Sequence, residues 1–524
     1  MVNHGPSRAC IECKKRRKKV SEVFPLSSLP AGDRQGSPMC VECDQTRPSC
    51  SRCVKSRRVC PGYGDDSSLV FRHYHPFKDA TSLDFDRWSP GIPSIWEDAA
   101  IQIFLDTLVV PSQNRQKSRG FLHGIQSLLA SATPGSALFS AAKVVALAAI
   151  SNSTRSSDLA SVVQTLYGSA LRDLTLSLPV GDSTVPVETF LTALLLGIYE
   201  IISSSHASPA KHLVHVRGIV SFIHKGIHFS NKVSKIQSHS PGSPLILKSE
   251  GMYRKTVLGV FCPPINDRPR RSLDLIIIKL SSLTNQIQRL LHQPSPSLDE
   301  LTELQKSFLD LDDEISGWDS DRPPEWAPSH AGFSWASRNH TEHCSAPYCS
   351  SGPVEEYLDC YVATAWNSWR SIYVLYLDHM ANLAKALGQE ECIPSYAKKA
   401  QELVHGLKAS IPYFLSQSLQ GYLQHLNTGL PPNHSNRVIR GLLLMHPLYV
   451  MAKCEIVLVP DREYLIQNLK WIGSSMGVGQ AAILADYLQL DVLGARTGQA
   501  SEVPLMDVLE GYYLLSAAMM LDLS

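Results

Sequence analysis

The sequence predicts two unlike parts, a small metal-stabilised N-terminal module and a large all-α body. Three observations predict this. Seven of the thirteen cysteines fall within the first 60 residues. Those residues hold 13 Lys and Arg against 5 Asp and Glu, a net of +8, while the remainder holds 36 against 43, a net of −7. From about residue 93 onward, apolar residues recur at steps of three and four, the period of an amphipathic helix. A total charge of +1 therefore conceals a basic head on an acidic body.

The head carries Cys10-Ile-Glu-Cys13, followed at once by Lys14, Lys15, Arg16, Arg17, Lys18 and Lys19. A second set, Cys43, Cys50, Cys53 and Cys60, follows a stretch of twenty-three residues, 20–42. With that stretch removed, the six cysteines read C-x2-C-x6-C-x6-C-x2-C-x6-C. Thiolates at this spacing form a metal site, because zinc takes four soft tetrahedral ligands and an all-protein coordination sphere is structural rather than catalytic. So small a module buries too little apolar surface to fold alone, so metal binding supplies its folding energy.

Joined at Lys19 to Cys43, these residues resemble the fungal binuclear zinc-cluster transcription factors, with the basic helix and the loop proline Pro48 in place. The resemblance implies two Zn2+ ions held by Cys10, Cys13, Cys43, Cys50, Cys53 and Cys60, with Cys10 and Cys50 shared between them. It implies that the helix after the first cysteine pair enters the major groove of double-stranded promoter DNA. There Arg and Lys donate to guanine O6 and N7, and CGG-like triplets are read. By motif position Arg17 contacts bases, Arg16 supports it, and Lys14, Lys15, Lys18 and Lys19 hold phosphates. The bland reading of the six cations is a nuclear import signal alone.

Only 20–42 departs from the pattern. Val20-Ser21 is encodable as a splice donor and Glu42 as an acceptor, and twenty-three whole codons keep the frame open. The stretch is therefore read as a retained intron, against a real surface insertion. If translated, it lengthens the closed segment from 6 to 29 residues, which costs about 1.4 kcal/mol of loop entropy. Structural zinc contributes on the order of 10–16 kcal/mol, so the metal should survive. Geometry suffers more, because Lys19 no longer leads into a ligand and Cys40-x2-Cys43 offers a rival thiolate pair.

The expected boundaries are a DNA-binding module at 1–64, a polar linker at 65–92 and the body at 93–524. No apolar heptad follows Cys60, so the coiled coil through which such proteins often dimerise is not legible. Helices are predicted over 95–109, 137–150, 159–178, 187–203, 209–224, 273–291, 299–315, 354–385, 395–417, 437–458, 462–484 and 505–521. The third is clearest, with Leu159, Val162, Val163, Leu166, Ala170, Leu174 and Leu178 behind a Ser157-Asp158 start and before Pro179. Turn residues at 238–244, Pro294-Ser-Pro296, 322–330 and 339–353 mark loops.

Five segments of the body carry a second resemblance: Thr192 to Glu200, His212 to Gly218, Ala365 to Arg370, Ser410 to Phe414 and Pro447-Leu448-Tyr449. In this order they are similar to the fungus-specific transcription-factor domain, which implies a regulatory all-α domain over roughly 90–520. No Walker loop, dinucleotide fingerprint, nucleophile elbow or HExxH motif occurs, and no enzyme activity is expected. Glu200, His212 and His215 suggest an acid/base group, with a core or surface polar set the simpler reading. His340, His343, Cys344 and Cys349 match no zinc spacing and read as a solvated loop. Cys262, Cys360, Cys392 and Cys454 read as small core residues. The acidic run from Asp310 to Asp321 mixes carboxylates with Leu, Ile and Trp as activation segments do, yet its spacing also fits an amphipathic helix.

No apolar leader precedes Cys10, so a reducing, intracellular home is expected. The longest apolar runs, 144–150 and 190–198, are shorter than the roughly 18–20 residues of a membrane span, and no membrane partner is expected. The combined expectation is a nuclear, zinc-dependent regulator of RNA polymerase II genes, an activator of a metabolic or secondary-metabolite gene set. It would work with promoter DNA and the transcription machinery, as a monomer or a homodimer. A repressor, a DNA-binding-deficient interaction protein and an enzyme with a vestigial head are the alternatives.

Overall fold

The computed structural model describes residues within 53–60, most of 94–492 apart from 229–270 and 335–345, and helical residues within 511–519. Contacts divide the chain between Ser89 and Pro90, and each side is described by itself. The described residues are mostly helical, at 73%. Its first helices are α1 (Ser94–Leu108), α2 (Ile125–Ser131), α3 (Ala137–Thr154), α4 (Ser157–Leu176), α5 (Val187–Ile202) and α6 (His212–Lys225). Side-chain caps fix two starts: Ser136 Oγ accepts Phe139 N–H at 3.3 Å, and Ser156 Oγ accepts Leu159 N–H at 3.3 Å. The cap of α4 is thus Ser156, one residue before the expected start. α3 packs against α1, α4 and α5. By length and composition α3 is apolar enough to cross a membrane, but 61% of it is buried inside this fold. The expectation from the apolar runs missed it because Lys143 interrupts the run; that lysine lies buried over the Phe139 ring at 4.8 Å.

The second set is α7 (Leu273–Leu291), α8 (Leu298–Ser316), α9 (Cys360–Ala386), α10 (Ile393–Leu415), α11 (Leu419–Thr428), α12 (Val438–Lys453), α13 (Val459–Ser475) and α14 (Gly479–Val492). The axle is α9, buried everywhere except Asn382, Lys385 and Ala386, with α7, α8, α10 and α12 around it. Its start is capped by Asp359, whose Oδ1 accepts Val362 N–H at 3.0 Å. The helices α12, α13 and α14 join this set to the first by packing on α1, α3 and α5.

Several boundaries differ from expectation. The predicted helix 354–385 begins only at Cys360, because 352–356 pair as a strand, Gly352–Glu356, antiparallel to Ser329–Ser334. The predicted 462–484 is two helices, broken where Gly477 takes φ 75°. There the turn lies against α3 so closely that a Cβ would come within 2.2 Å of Ala149 O. The predicted 437–458 stops at Lys453, and α2 and α11 were not anticipated. The span 346–350 is no solvated loop, since Tyr348 is fully buried against Tyr422, His434 and Trp471. Cys349 is disulfide-bonded. His340, His343, Cys344 and Cys262 lie outside the described residues. Cys360 and Cys454 are buried as expected, whereas Cys392 is half-buried.

Candidate metal centre and polar clusters of the body

Of the twelve predicted head residues, Cys53 and Cys60 are described; Cys10, Cys13, Cys43, Cys50, Lys14, Lys15, Arg16, Arg17, Lys18 and Lys19 lie outside the described residues. Cys53 sits in a helical turn with its side chain buried, and Cys60 is half-buried. Between them Arg57 adopts φ 49° and donates its N–H to Val54 O at 3.0 Å, turning the chain back. Val54, Ser56, Arg57 and Val59 stay exposed. A turn that shelters its thiols while exposing its valines suits sulfur donors held inward toward a thiophilic ion. Among the described residues, no group of three or more His, Cys, Asp and Glu is placed to hold a metal.

Within the body, the helices bring Glu200, His212 and His215 together, with Tyr167 added by α4. The Tyr167 hydroxyl donates to Glu200 Oε1 at 2.5 Å, lies 3.4 Å from His215 Nε2, and its ring stacks on Tyr199 at 4.3 Å. Burial raises the Glu200 carboxyl, while the Tyr167 bond opposes that rise. Burial, reinforced by neighbouring His212, lowers His215 to about 4. At neutral pH the imidazole is therefore uncharged, and burial also raises the Tyr167 phenol. These groups form hydrogen bonds between helices, the simpler of the two readings offered by the sequence.

Two of the other quoted segments meet at Arg370, a fully buried guanidinium. Its Nη2 donates to Glu355 at 2.9 and 3.1 Å, and its Nη1 to Tyr357 Oη at 2.7 Å, Gly406 O at 2.9 Å and Asn367 Oδ1 at 3.2 Å. Asn367 Nδ2 in turn donates to Ser410 Oγ at 2.8 Å. Gly406 is small because a Cβ there would fall 2.7 Å from Arg370 Nε. The segments Ala365 to Arg370 and Ser410 to Phe414 are thus joinery between α9, α10 and the hairpin. The acidic run is likewise structural on its apolar side: Leu304, Phe308, Leu311, Ile315 and Trp318 are all buried. Trp318 packs with Trp366 and Trp369 beneath Arg322.

Two polar side chains that the sequence reading passed over stand apart. Gln480, at 2% exposure, has no hydrogen-bond partner at either amide atom, and His446, at 4%, has none at either ring nitrogen. His446 lies flat on Tyr512 at 4.3 Å. Neither residue had a sequence signal, because each sits within an apolar helical pattern whose spacing alone accounts for it.

Comparison with known proteins gives one further finding. The chain is similar to transcription factor dbaG of Emericella nidulans (strain FGSC A4 / ATCC 38163 / CBS 112.46 / NRRL 194 / M139). The two are 27% identical over 391 residues, which span 74% of this chain and 91% of that protein. Its relative is a transcription factor. A match of this length cannot be confined to the cysteine-rich head, so the likeness extends through the helical body. No family model matches the chain, and no solved structure matches it.

Proposed function

We propose that this chain is a sequence-specific, zinc-dependent transcription regulator of RNA polymerase II genes, acting in the nucleus on double-stranded promoter DNA. Cys10, Cys13, Cys43, Cys50, Cys53 and Cys60 would hold two Zn2+ ions, which fold the head when bound. Arg17 reads guanine edges of CGG-like triplets, Arg16 supports it, and the neighbouring lysines neutralise phosphates. The head is 1–64, the linker 65–92, and the body at 93–524 modulates binding or recruits the transcription machinery, with activation of a metabolic or secondary-metabolite gene set as the outcome. The observation that carries the reading is the six-cysteine spacing around a run of six cations, supported by the likeness to a transcription factor.

The test is a gel-shift assay on CGG-bearing duplexes with the full chain and with a form lacking 20–42. Specific, chelator-sensitive binding by the shorter form supports the reading. Failure of both forms in the presence of zinc would overturn it. Arg17→Ala should relax base preference, and Lys19→Ala should weaken binding evenly across sequences. Indistinguishable behaviour of the two variants would remove Arg17 as the base reader. The insertion itself favours one second reading: if 20–42 is present in the working protein, binding by the full chain fails and the helical body acts as an interaction protein alone.

A further inference from the structure

Only glycine takes a left-handed backbone freely, because any Cβ crowds the following carbonyl there. Among the described residues three others adopt it: Leu122 at φ 51°, Arg155 at φ 54° and Arg57 at φ 49°. Two of the three have a structural reason. Leu122 is completely buried, so its side chain fills a core that glycine would leave hollow. Arg155 ends α3, and its N–H donates to Asn152 O and Ser151 O. A cation there meets the negative end of a long helix dipole.

Arg57 has neither reason. Its side chain is exposed and fills no core, and the helical turn before it, at Cys53 and Val54, is too short to build a dipole worth complementing. Among the described residues its guanidinium makes no hydrogen bond and no ion pair. The turn needs only the Arg57 N–H, which donates to Val54 O at 3.0 Å, and glycine would supply that donor without strain. What the chain keeps at this position is the guanidinium itself, and strain held for the sake of a side chain points to binding. The surrounding sequence says what it meets. Between Asp44 and Asp65 stand Arg47, Arg52, Lys55, Arg57 and Arg58 with no acidic residue, a second cationic run beyond the one at 14–19. Cations crowded in this way repel one another until a polyanion covers them, and the planar fork of arginine matches the oxygens of a phosphate.

We propose that Arg57 is a positioning residue that grips a backbone phosphate of the duplex, so that the second half of the head holds the phosphodiester chain while the first reads bases. The inference rests on the head binding DNA, as proposed above. A phosphate contact carries no sequence information and fixes register and orientation instead. Its loss should therefore weaken binding to every sequence alike, and the turn itself should be no worse for losing the arginine.

The test takes the chain in whichever form, with or without 20–42, binds in the gel-shift assay, and compares wild type, Arg57→Gly and Arg155→Gly by fluorescence anisotropy. The probes are a CGG-bearing duplex and a scrambled one. Arg57→Gly should bind both about tenfold more weakly, the loss of one charge-assisted contact, with a salt dependence shallower by about one power of salt concentration. Arg155→Gly removes the same charge from the same backbone conformation in the body and should bind as the wild type does. Arg57→Gly should also keep zinc against the chelating dye 4-(2-pyridylazo)resorcinol at least as long as the wild type. Faster zinc loss would assign Arg57 a structural role and overturn the proposal. Equal weakening in the two variants would reduce the effect to overall charge, and a loss confined to the CGG duplex would make Arg57 a base contact; either overturns it. Unchanged affinity of Arg57→Gly beside intact wild-type binding overturns this inference alone, whereas no zinc-dependent binding by the wild type in either form overturns the proposed function and this inference with it.

Discussion

Arg370 and Gln480 are both polar side chains buried in the same helical body, yet their surroundings are opposite. Arg370 arrives with Glu355, Tyr357, Asn367 and Gly406 O already arranged around it. Gln480 lies as deep and meets no partner. Depth alone therefore does not tell what a buried polar group is for. A group with every bond made holds elements together, and removing it leaves its partners stranded. A group with none made does no holding, so its removal should cost little.

The largest expected effect is at the satisfied site. Arg370→Met should lower unfolding free energy by about 3–5 kcal/mol, the usual cost of breaking a buried ion pair from one side. The value should fall toward the lower end, because the Glu355 side chain is 22% exposed and can rehydrate. Urea unfolding followed by circular dichroism reads this directly, and a change below 1 kcal/mol would erase the contrast with Gln480. Next, Asn152→Ala strips the donor from two carbonyls, Ile202 O and Gly477 O, and should cost about 1–3 kcal/mol, checked by the same titration. Smaller still, Ser136→Ala removes the cap of α3 and should cost about 1 kcal/mol.

The smallest effect at neutral pH is expected for His446→Phe, which keeps a ring on Tyr512 and removes two unpaired nitrogens. Its stability should equal the wild type near pH 7.5 and then separate on acidification. Burial lowers His446 from 6.5 to about 3, so between these values the unfolded chain binds a proton that the folded chain does not. Wild-type stability should therefore fall as pH drops below 6.5, and the variant should gain on it by about 1.4 kcal/mol per pH unit. Asp378, raised by burial to about 6, works in the opposite sense in both proteins and cancels from the comparison. Parallel pH profiles would show that His446 has an undetected partner.

Much of the body was legible because a helix announces itself every three or four residues. α4, α5, α7, α8 and α10 fall within a few residues of their expected spans. What failed was local. The strand at 352–356 is a five-residue piece that opens on Gly-Pro, too short for its alternation to be distinguished from the start of α9. The break at Gly477 required knowing that Ala149 O lies behind it. Glu200, His212 and His215 were singled out correctly as neighbours, but Tyr167, which pairs with them, came from another helix and had no sequence signal beyond its spacing. Gln480 and His446 were invisible for a different reason: the lack of a partner is a property of the packed interior and has no counterpart in residue order.

The helical residues at 511–519 give the molecule a schedule. Leu514 fits against Gly197 so tightly that a methyl on the glycine would collide with it, Tyr512 bonds Ser368 and carries His446, and Ala518 O accepts Leu122 N–H at 3.4 Å. All four partners leave the ribosome long before these residues do. Until translation reaches them, the groove between α5, α9 and α12 stays open with its apolar walls bare, a surface for chaperones or proteases. A nonsense codon just before Gly511 would leave the nascent protein permanently in that exposed state.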